Sequence, residues 1–209
     1  MLKVIYAGSP DISATVLKYL ANIPSLEIVG VLTNPPSAKG RHKTPTPTPT
    51  AQMAISLNLS VFAPEHLKAE ARESIAALNP DILVCFSYGK IFGPKFMSLF
   101  PKGGINLHPS LLPRWRGCAP VSAAILAQDA ESGISVQRIA QEMDTGAILL
   151  QKKLPLLGTE TAASLLENAA ENGGPMLASV LSQIAVGTES SVQQSLEGVT
   201  YSNILKNED

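Results

Sequence analysis

The chain has 209 residues, of which 45% are hydrophobic and 16% charged, so it is long enough to bury a substantial core in one large domain. Its formal charge of −1 excludes an overall positive field that would attract nucleic acid. Any contact with nucleic acid must therefore come from a local basic patch. The two cysteines lack the paired spacing of a disulfide framework or a metal site, and no apolar run reaches the length of about 18 residues that a membrane span needs.

The chain begins with a pattern typical of a strand, a tight turn and a helix. Residues 2–7 are rich in β-branched and aromatic side chains, and a Gly-Ser-Pro-Asp turn at 8–11 precedes a helical stretch at 12–21. Serine, proline and aspartate are residues that favour a helix start. A second strand at 26–34 completes a βαβ unit, whose two strands must be parallel.

The composition changes in residues 34–50, which hold five prolines and three basic residues. A segment with so little apolar surface is expected to form an exposed, extended and partly mobile loop. Its basic residues are the only evident local cationic patch on an otherwise neutral chain.

The rest of the chain alternates between helical and strand-like patterns, and the end at 199–209 is expected to be a polar stop. Helices are predicted at 51–59, 69–79, 120–128 and 161–186, and strands at 61–64, 81–89, 105–108, 132–140 and 147–156. The strand at 81–89 is continuously apolar, as in parallel sheets that are covered on both faces. We therefore predict an α/β fold, with a doubly wound, mostly parallel sheet, helices on both faces, and ligands beyond the carboxyl ends of its strands.

Two polar residues stand two positions apart at the end of the strand at 105–108. Alternation along the strand directs Asn106 and His108 to one face, and Pro109 and Pro113 stiffen the turn that follows. Polar groups held in this way could form a catalytic site. An isolated Asn-x-His is more often a strand end whose side chains are satisfied by backbone groups, so the pair alone leaves both interpretations open.

The surrounding residues resemble those of a known family. The run "NLHPSLLPRWRGCAP" at 106–120, followed by "DTG" at 144–146, closely resembles the signature of the folate-dependent formyltransferases, and "RWRGCAP" favours the branch that acts on methionyl-tRNA. The similarity extends over nearly the whole chain, including "VIYAGSPDISATVLKYL", "NPDILVCFSYGKIF" and "EMDTGAILLQKKLPL". It implies a Rossmann-like catalytic domain over residues 1–209, without the C-terminal β-barrel domain that members of this family usually carry.

The resemblance implies an enzyme of translation initiation that formylates the α-amino group of methionyl-initiator tRNA. The formyl donor would be 10-formyltetrahydrofolate, a co-substrate that carries the activated carbon itself, so no metal is expected. Asn106 and His108 would donate hydrogen bonds to the oxyanion that forms, and Asp144 would orient His108 and help to relay a proton. A monomer without membrane association, located in the cytoplasm, is expected.

Further residues are implied to bind the two substrates. The folate would contact one segment after the strand at 105–108 and a second at the end of the strand at 81–89, which would wall the pterin slot: Ser110, Leu111, Leu112, Pro113, Phe86, Ser87, Tyr88 and Gly89. The phenyl and phenol rings in this set could equally belong to the core. The acceptor end of the tRNA would approach the basic loop through Lys39, Arg41 and Lys43, although the repeat "TPTPTPT" departs from the family pattern.

Four other kinds of protein share features with this sequence. A sugar-nucleotide N-formyltransferase shares the catalytic residues, while glycinamide ribonucleotide formyltransferase would need a Gly- and Ser-rich phosphate loop where this chain has Pro10 and Asp11. The sequence "DTGA" at 144–147 also occurs in aspartic proteases, but their all-β fold conflicts with the helical patterns here. A nucleotide-binding module would need a G-x-G-x-x-G motif after the first strand, and the sequence has none.

Overall fold

A computed structural model describes residues 1–39 and 44–203. The helices are α1 (Asp11–Leu20), α2 (Pro49–Ser56), α3 (Ala69–Ala76), α4 (Pro94–Met97), α5 (Pro120–Leu126) and α6 (Ala162–Val186). The strands are β1 (Leu2–Ala7), β2 (Leu26–Leu32), β3 (Ser37–Lys39), β4 (Thr44–Thr46), β5 (Val61–Phe62), β6 (Ile82–Cys85), β7 (Gly104–His108), β8 (Arg116–Gly117), β9 (Glu131–Arg138), β10 (Ile148–Pro155) and β11 (Tyr201–Ser202). In the described ranges, no helix is both long enough and apolar enough to cross a membrane.

Seven strands form one sheet in the order β10-β9-β7-β6-β1-β2-β5. Strand β1 pairs in parallel with β2 and β6, and β2 pairs in parallel with β5, whereas β9 and β10 are antiparallel. This confirms the predicted α/β class with a mostly parallel sheet. The chain divides into two compact units, Met1–Ile105 and Asn106–Asp209, which we call the first and the second unit.

In the first unit, the turn after β1 requires a residue without a side chain. A Cβ atom at Gly8 would overlap the Ser13 side chain of α1 and approach the Phe86 carbonyl. The fully buried Tyr6 donates its hydroxyl to the Ser13 carbonyl at 2.8 Å and so fixes the first turn of α1 against β1. The carboxyl ends of β1 and β6 are thereby brought close together.

In the second unit, the long helix α6 packs close to the strand that carries the predicted catalytic pair. Its N-terminus is capped reciprocally, since Thr161 and Ser164 each accept a hydrogen bond from the other's backbone N–H. A Cβ atom at Gly173 would overlap the Leu107 side chain of β7. The helix therefore supports β7 from behind, at the residue between Asn106 and His108.

Residues 34–50 were predicted to form an exposed, extended and partly mobile loop, and the prediction of a loop is wrong where the segment forms two short strands and the start of a helix. Strands β3 and β4 form an antiparallel ribbon in which Ala38 pairs with Pro45. A two-stranded ribbon has only edge strands, so a proline can stand where its missing N–H faces away from the ladder. Helix α2 also starts before residue 51, because Pro49 fits the first helical position and the Thr48 hydroxyl accepts from Ala51 N at 3.1 Å.

Three further elements differ from the sequence predictions. Strand β6 ends at Cys85 rather than at residue 89, because Ser87 and Gly89 adopt positive φ angles of 53° and 81° that no strand continues. The short helix α4 was not predicted. The end of the chain was expected to be a polar stop, but Tyr201 and Ser202 pair in parallel with Arg116 and Gly117.

Candidate active site

The imidazole of His108 is held at both of its nitrogens at the end of β7. Its Nε2 lies 2.8 Å from the Trp115 carbonyl, and because a carbonyl oxygen only accepts, Nε2 carries the proton. Its Nδ1 lies 3.6 Å from Asp144 Oδ1. The residue is 4% exposed, so the ring's orientation is set by the protein rather than by solvent.

Asp144 has a carboxylate whose two oxygens are each fixed by another donor. Oδ2 accepts from the Gly117 N–H and Oδ1 accepts from Gln137 Nε2, both at 2.8 Å. The 3.6 Å to His108 is longer than a hydrogen bond but short enough for electrostatic attraction to a protonated ring. The structure thus brings together Asp144 and His108, which lie 36 positions apart in the sequence.

The Asn106 side chain is half-buried between two buried neighbours on β7, Ile105 and Leu107. Among the described residues, none forms a hydrogen bond with its carboxamide. The amide is therefore available to a ligand, whereas the Nε2 proton of His108 is already donated to Trp115. Of the two donors that the resemblance assigned to the oxyanion, only Asn106 has a donor available in this geometry.

The turn after β7 contains the first segment implied to contact folate. Ser110 is buried, and its hydroxyl donates to the Arg114 carbonyl at 2.6 Å. The Leu112 N–H donates to Ser135 Oγ at 3.1 Å, and the Leu112 carbonyl accepts from Gln151 Nε2 at 2.9 Å. Side chains from β9 and β10 therefore hold this turn in one shape.

The second implied folate segment, residues 86–89, lies in the first unit. The side chains of Phe86 and Tyr88 are buried, and the Tyr88 ring stacks on Phe92 at 5.5 Å. Those two rings therefore belong to the core, and any ligand must contact the segment through its backbone or through Ser87. The Tyr88 carbonyl already accepts from Asn34 Nδ2 at 2.7 Å.

The residues implied to bind tRNA are largely outside the described part of the chain. Lys39 ends β3, and Arg41 and Lys43 lie outside the described residues. Their role stays a prediction from the sequence. Within residues 1–39 and 44–203, no group of three or more His, Cys, Asp or Glu side chains is placed to share a metal ion.

The family model described as "Formyl transferase" matches residues 2–181 of this chain. The chain is a member of the formyl transferase family. Among the curated relatives, the methionyl-tRNA formyltransferase of Treponema denticola is 43% identical over all of this chain and 66% of its own length. That of Treponema pallidum is 44% identical over 90% of this chain and 60% of its own length. The chain thus spans about two thirds or less of these relatives.

A solved structure with the same fold is the N-formyltransferase from Helicobacter canadensis in complex with folinic acid and dTDP-3-aminofucose. It has a TM-score of 0.72 and 21% sequence identity, and the match covers 96% of this chain and 70% of that one. At this level of identity the likeness concerns the fold alone. It agrees with the mostly parallel sheet described above.

Sequence reasoning missed the residues that hold the side chains of His108 and Asp144 in place. Gln137 binds the Asp144 carboxylate, the Trp115 carbonyl binds His108, and Gln194 binds the backbone around Asp144. Gln137 could have been noticed in the sequence, because a glutamine buried in a strand such as β9 needs a hydrogen-bond partner. Trp115 acts through its backbone and Gln194 lies in an irregular segment, so neither has a pattern that sequence analysis could detect.

One half-buried carboxylate organises the loop that carries Trp115. Asp129 accepts from Arg114 Nε at 2.8 Å and from the Trp115 indole N–H at 2.7 Å. The Arg114 guanidinium holds the pKa of Asp129 below its usual range, and the indole bond adds to this effect. Arg114 also lies over the Trp115 ring, with Cζ 4.4 Å from its centroid. The cluster fixes the tryptophan whose carbonyl orients His108.

Proposed function

We propose that this chain transfers a formyl group from 10-formyltetrahydrofolate to the α-amino group of methionyl-initiator tRNA, as a cytoplasmic monomer that serves translation initiation. The observation that carries the proposal is the 3.6 Å between His108 Nδ1 and Asp144 Oδ1. Asn106 stands two positions before His108 on β7, and its amide forms no hydrogen bond with any residue that the structure describes. The naming of the curated relatives as methionyl-tRNA formyltransferases supports the choice of acceptor.

The proposed reaction exchanges one carbon–nitrogen bond for another. The neutral amine of the methionyl group attacks the formyl carbon, negative charge collects on the formyl oxygen, and the bond from that carbon to N10 of the folate then breaks. The Asn106 carboxamide donates to the developing oxyanion, a contribution of roughly 10²–10³ in rate. The amine loses one proton in the process and N10 of the departing tetrahydrofolate gains one.

The pair of His108 and Asp144 is suited to that proton movement. With Nε2–H donated to Trp115, the unprotonated Nδ1 is the site where His108 can take up a proton. A proton there would face Asp144 Oδ1 at 3.6 Å, where the carboxylate stabilises the positive ring. The carboxylate cannot turn away readily, because Gly117 and Gln137 hold its oxygens.

The folate part of the proposal can be tested by thermal denaturation with a stable analogue. We expect 5-formyltetrahydrofolate to raise the melting temperature, since a ligand that binds only the folded chain stabilises it by about 2.7 kcal/mol at 100 times Kd. ATP and NAD serve as controls and should produce no shift. A shift with a nucleotide and none with the folate would contradict the proposal.

The acceptor is tested by assaying formyl transfer to methionyl-tRNA and, separately, to a dTDP-linked amino sugar. We expect formylmethionyl-tRNA as the product and no product from the sugar nucleotide. Efficient formylation of the amino sugar instead would make the chain a sugar-nucleotide N-formyltransferase, the alternative that the sequence left open. Gel filtration with light scattering tests the monomeric state.

A further inference from the structure

Residues 192–202, which we call the brace, run across two loops of the second unit. At one end, Val192 and Ile148 exchange backbone hydrogen bonds of 2.8 Å just after the loop that carries Asp144. At the other end, Trp115 N donates to the Thr200 hydroxyl at 2.8 Å, and β11 pairs with β8. The brace therefore ties the Asp144 loop to the loop whose Trp115 carbonyl orients His108.

Gln194 is the residue of the brace that contacts the Asp144 loop through its side chain. Its Nε2 donates to the carbonyls of Asp144 and Gly146, each at 2.8 Å, and lies 3.3 Å from Gln137 Oε1. One amide group thus holds the main chain on both sides of Thr145. It also touches the glutamine that binds the Asp144 carboxylate.

The other end of the same carboxamide is fixed by a buried arginine. Gln194 Oε1 accepts from Arg116 Nε at 3.0 Å and from Arg116 Nη2 at 2.8 Å. Arg116 is only 7% exposed and adjoins Gly117, whose N–H donates to Asp144 Oδ2. Gln194 is therefore held in one orientation by its acceptor while its donor positions the backbone of the catalytic aspartate.

The backbone of Asp144 needs such support. Its φ angle of 55° lies in the left-handed region, which an aspartate adopts at some cost and keeps only where its surroundings demand it. The carbonyl of the same residue is the one that Gln194 holds. Loss of this bond would let the loop relax, and the carboxylate would then move relative to His108.

From these contacts we infer that Gln194 is a positioning residue for Asp144, so that the brace is part of the catalytic unit. The inference rests on the proposed formyl transfer for its kinetic consequences. Gln194 acts through Asp144 and does not contact the reacting atoms. Its loss should therefore lower the rate of the chemical step rather than the affinity for either substrate.

The test compares Gln194→Met with Gln193→Met. Methionine has nearly the shape of glutamine but no amide, and Gln193 is an exposed neighbour without a hydrogen bond among the described residues. We expect Gln194→Met to lower kcat by about 10- to 100-fold, the order of effect of a small misplacement of a catalytic group, with little change in either KM. Gln193→Met should behave as the unmodified chain does.

A second readout does not depend on formyl transfer. The chain has three histidines, so its imidazole resonances can be followed by NMR in labelled protein and assigned with His108→Ala. In Gln194→Met we expect the His108 ring resonances to shift at constant pH, because the Asp144 carboxylate, 3.6 Å from Nδ1, changes its position relative to the ring. The exposed His66 serves as the internal reference and should not move.

The outcomes separate the inference from the proposed function. An unmodified chain that transfers no formyl group while Gln194→Met still shifts the His108 resonances would sink the proposed function and keep the positioning role. An unchanged kcat together with unshifted His108 resonances would overturn the inference. If Gln194→Met fails to fold, Gln194→Glu keeps the acceptor for Arg116 and replaces the donor by a charged oxygen that repels the carbonyls of Asp144 and Gly146; a kcat equal to that of Gln193→Met would then overturn the inference.

Discussion

In each unit a carboxamide side chain joins two loops, Asn34 in the first and Gln194 in the second, but the partners of the two carboxamides differ in charge. In the first unit, Asn34 Nδ2 donates to Ser9 Oγ at 3.0 Å and to the Tyr88 carbonyl at 2.7 Å. In the second unit, Gln194 joins the loops around Asp144 and Arg116. All partners of Asn34 are neutral, whereas Gln194 lies between a guanidinium and the backbone of a carboxylate residue.

Because their partners differ, Asn34 and Gln194 should control different kinetic constants. Asn34 fixes the backbone course of residues 86–89, a segment that we expect to meet the folate, so its contribution should appear in binding. Gln194 fixes the direction of a charge that matters only when a proton moves. We therefore expect the first unit to govern KM for the donor and the second to govern kcat.

The largest expected effect is a loss of kcat when the Asn106 amide of the second unit is removed. Asn106→Ala removes the amide that we assign to the oxyanion and should lower kcat by about 10²–10³-fold, while KM for the folate stays within a small factor. Steady-state formylation of methionyl-tRNA measures both constants. Asn203→Ala, at an exposed asparagine of the same unit, is the matched control. An unaltered kcat would remove Asn106 from the oxyanion role.

The basic segment of the first unit should control KM for the second substrate, methionyl-tRNA. Replacing Lys39, Arg41 and Lys43 by alanine should raise KM for methionyl-tRNA about tenfold and leave kcat largely unchanged. Because phosphate contacts release counterions, the slope of log KM against log salt should fall by about 2, roughly 0.7 for each cation lost. Assays over a series of salt concentrations measure this slope.

The matched control for that experiment replaces three exposed lysines elsewhere in the first unit: Lys18, Lys68 and Lys95. If tRNA binding depends only on net charge, both triple variants will lose the same affinity and the same salt dependence. Such a result would mean that the segment around residue 41 has no special role.

A smaller effect is expected from the carboxamide of the first unit. Asn34→Ala removes the amide bonds to Ser9 and to the Tyr88 carbonyl. Because only the second of these holds the segment expected to meet the folate, KM for the folate should rise by about three- to tenfold, the order of one neutral hydrogen bond, with kcat nearly unchanged. Asn22→Ala, at the exposed end of α1, is the control. A fall in kcat larger than the rise in KM would show that the two carboxamides do not divide the work as proposed.

The smallest effect concerns stability and its dependence on pH. Asp129→Asn should lower the free energy of unfolding at pH 7 by about 1–3 kcal/mol, because Arg114 loses its charged partner. The folded-state pKa of Asp129 is lowered, so its stabilisation is present above the unfolded pKa of about 3.9 and disappears as the pH falls through the folded value. Urea denaturation at pH 7 and below pH 4 should therefore show the difference between the two proteins shrinking in acid.

The sequence predicted the mostly parallel sheet and singled out a candidate site, for reasons that do not extend to the residues that support that site. Strand β6 is recognisable because burial on both faces demands unbroken apolar residues. The pair Asn106 and His108 is visible because two polar groups interrupt the strand on one face. The contact of Val192 with Ile148 has no such pattern, since it depends on backbone geometry between distant segments.

Two predictions were wrong because they relied on composition: the loop predicted over residues 34–50, and the strand predicted to continue to residue 89. The ribbon of β3 and β4 contains Pro45, a residue that argues against a strand when only composition is considered. It forms because an edge strand tolerates a missing N–H. Strand β6 stops at Cys85 despite the apolar residues beyond it, because the backbone turns at Ser87. Composition predicts burial well, but it does not predict where a buried chain leaves the sheet.

The brace has a consequence for the order in which the molecule can be built. Trp115 and Thr200 form a hydrogen bond although 85 positions separate them. On a ribosome, which makes the chain from its N-terminus, the loop beside His108 must wait for nearly the whole described sequence before it can adopt its final shape. A nascent chain halted before residue 190 would therefore contain the entire signature motif and still lack every contact of the brace with the loops of Trp115 and Asp144.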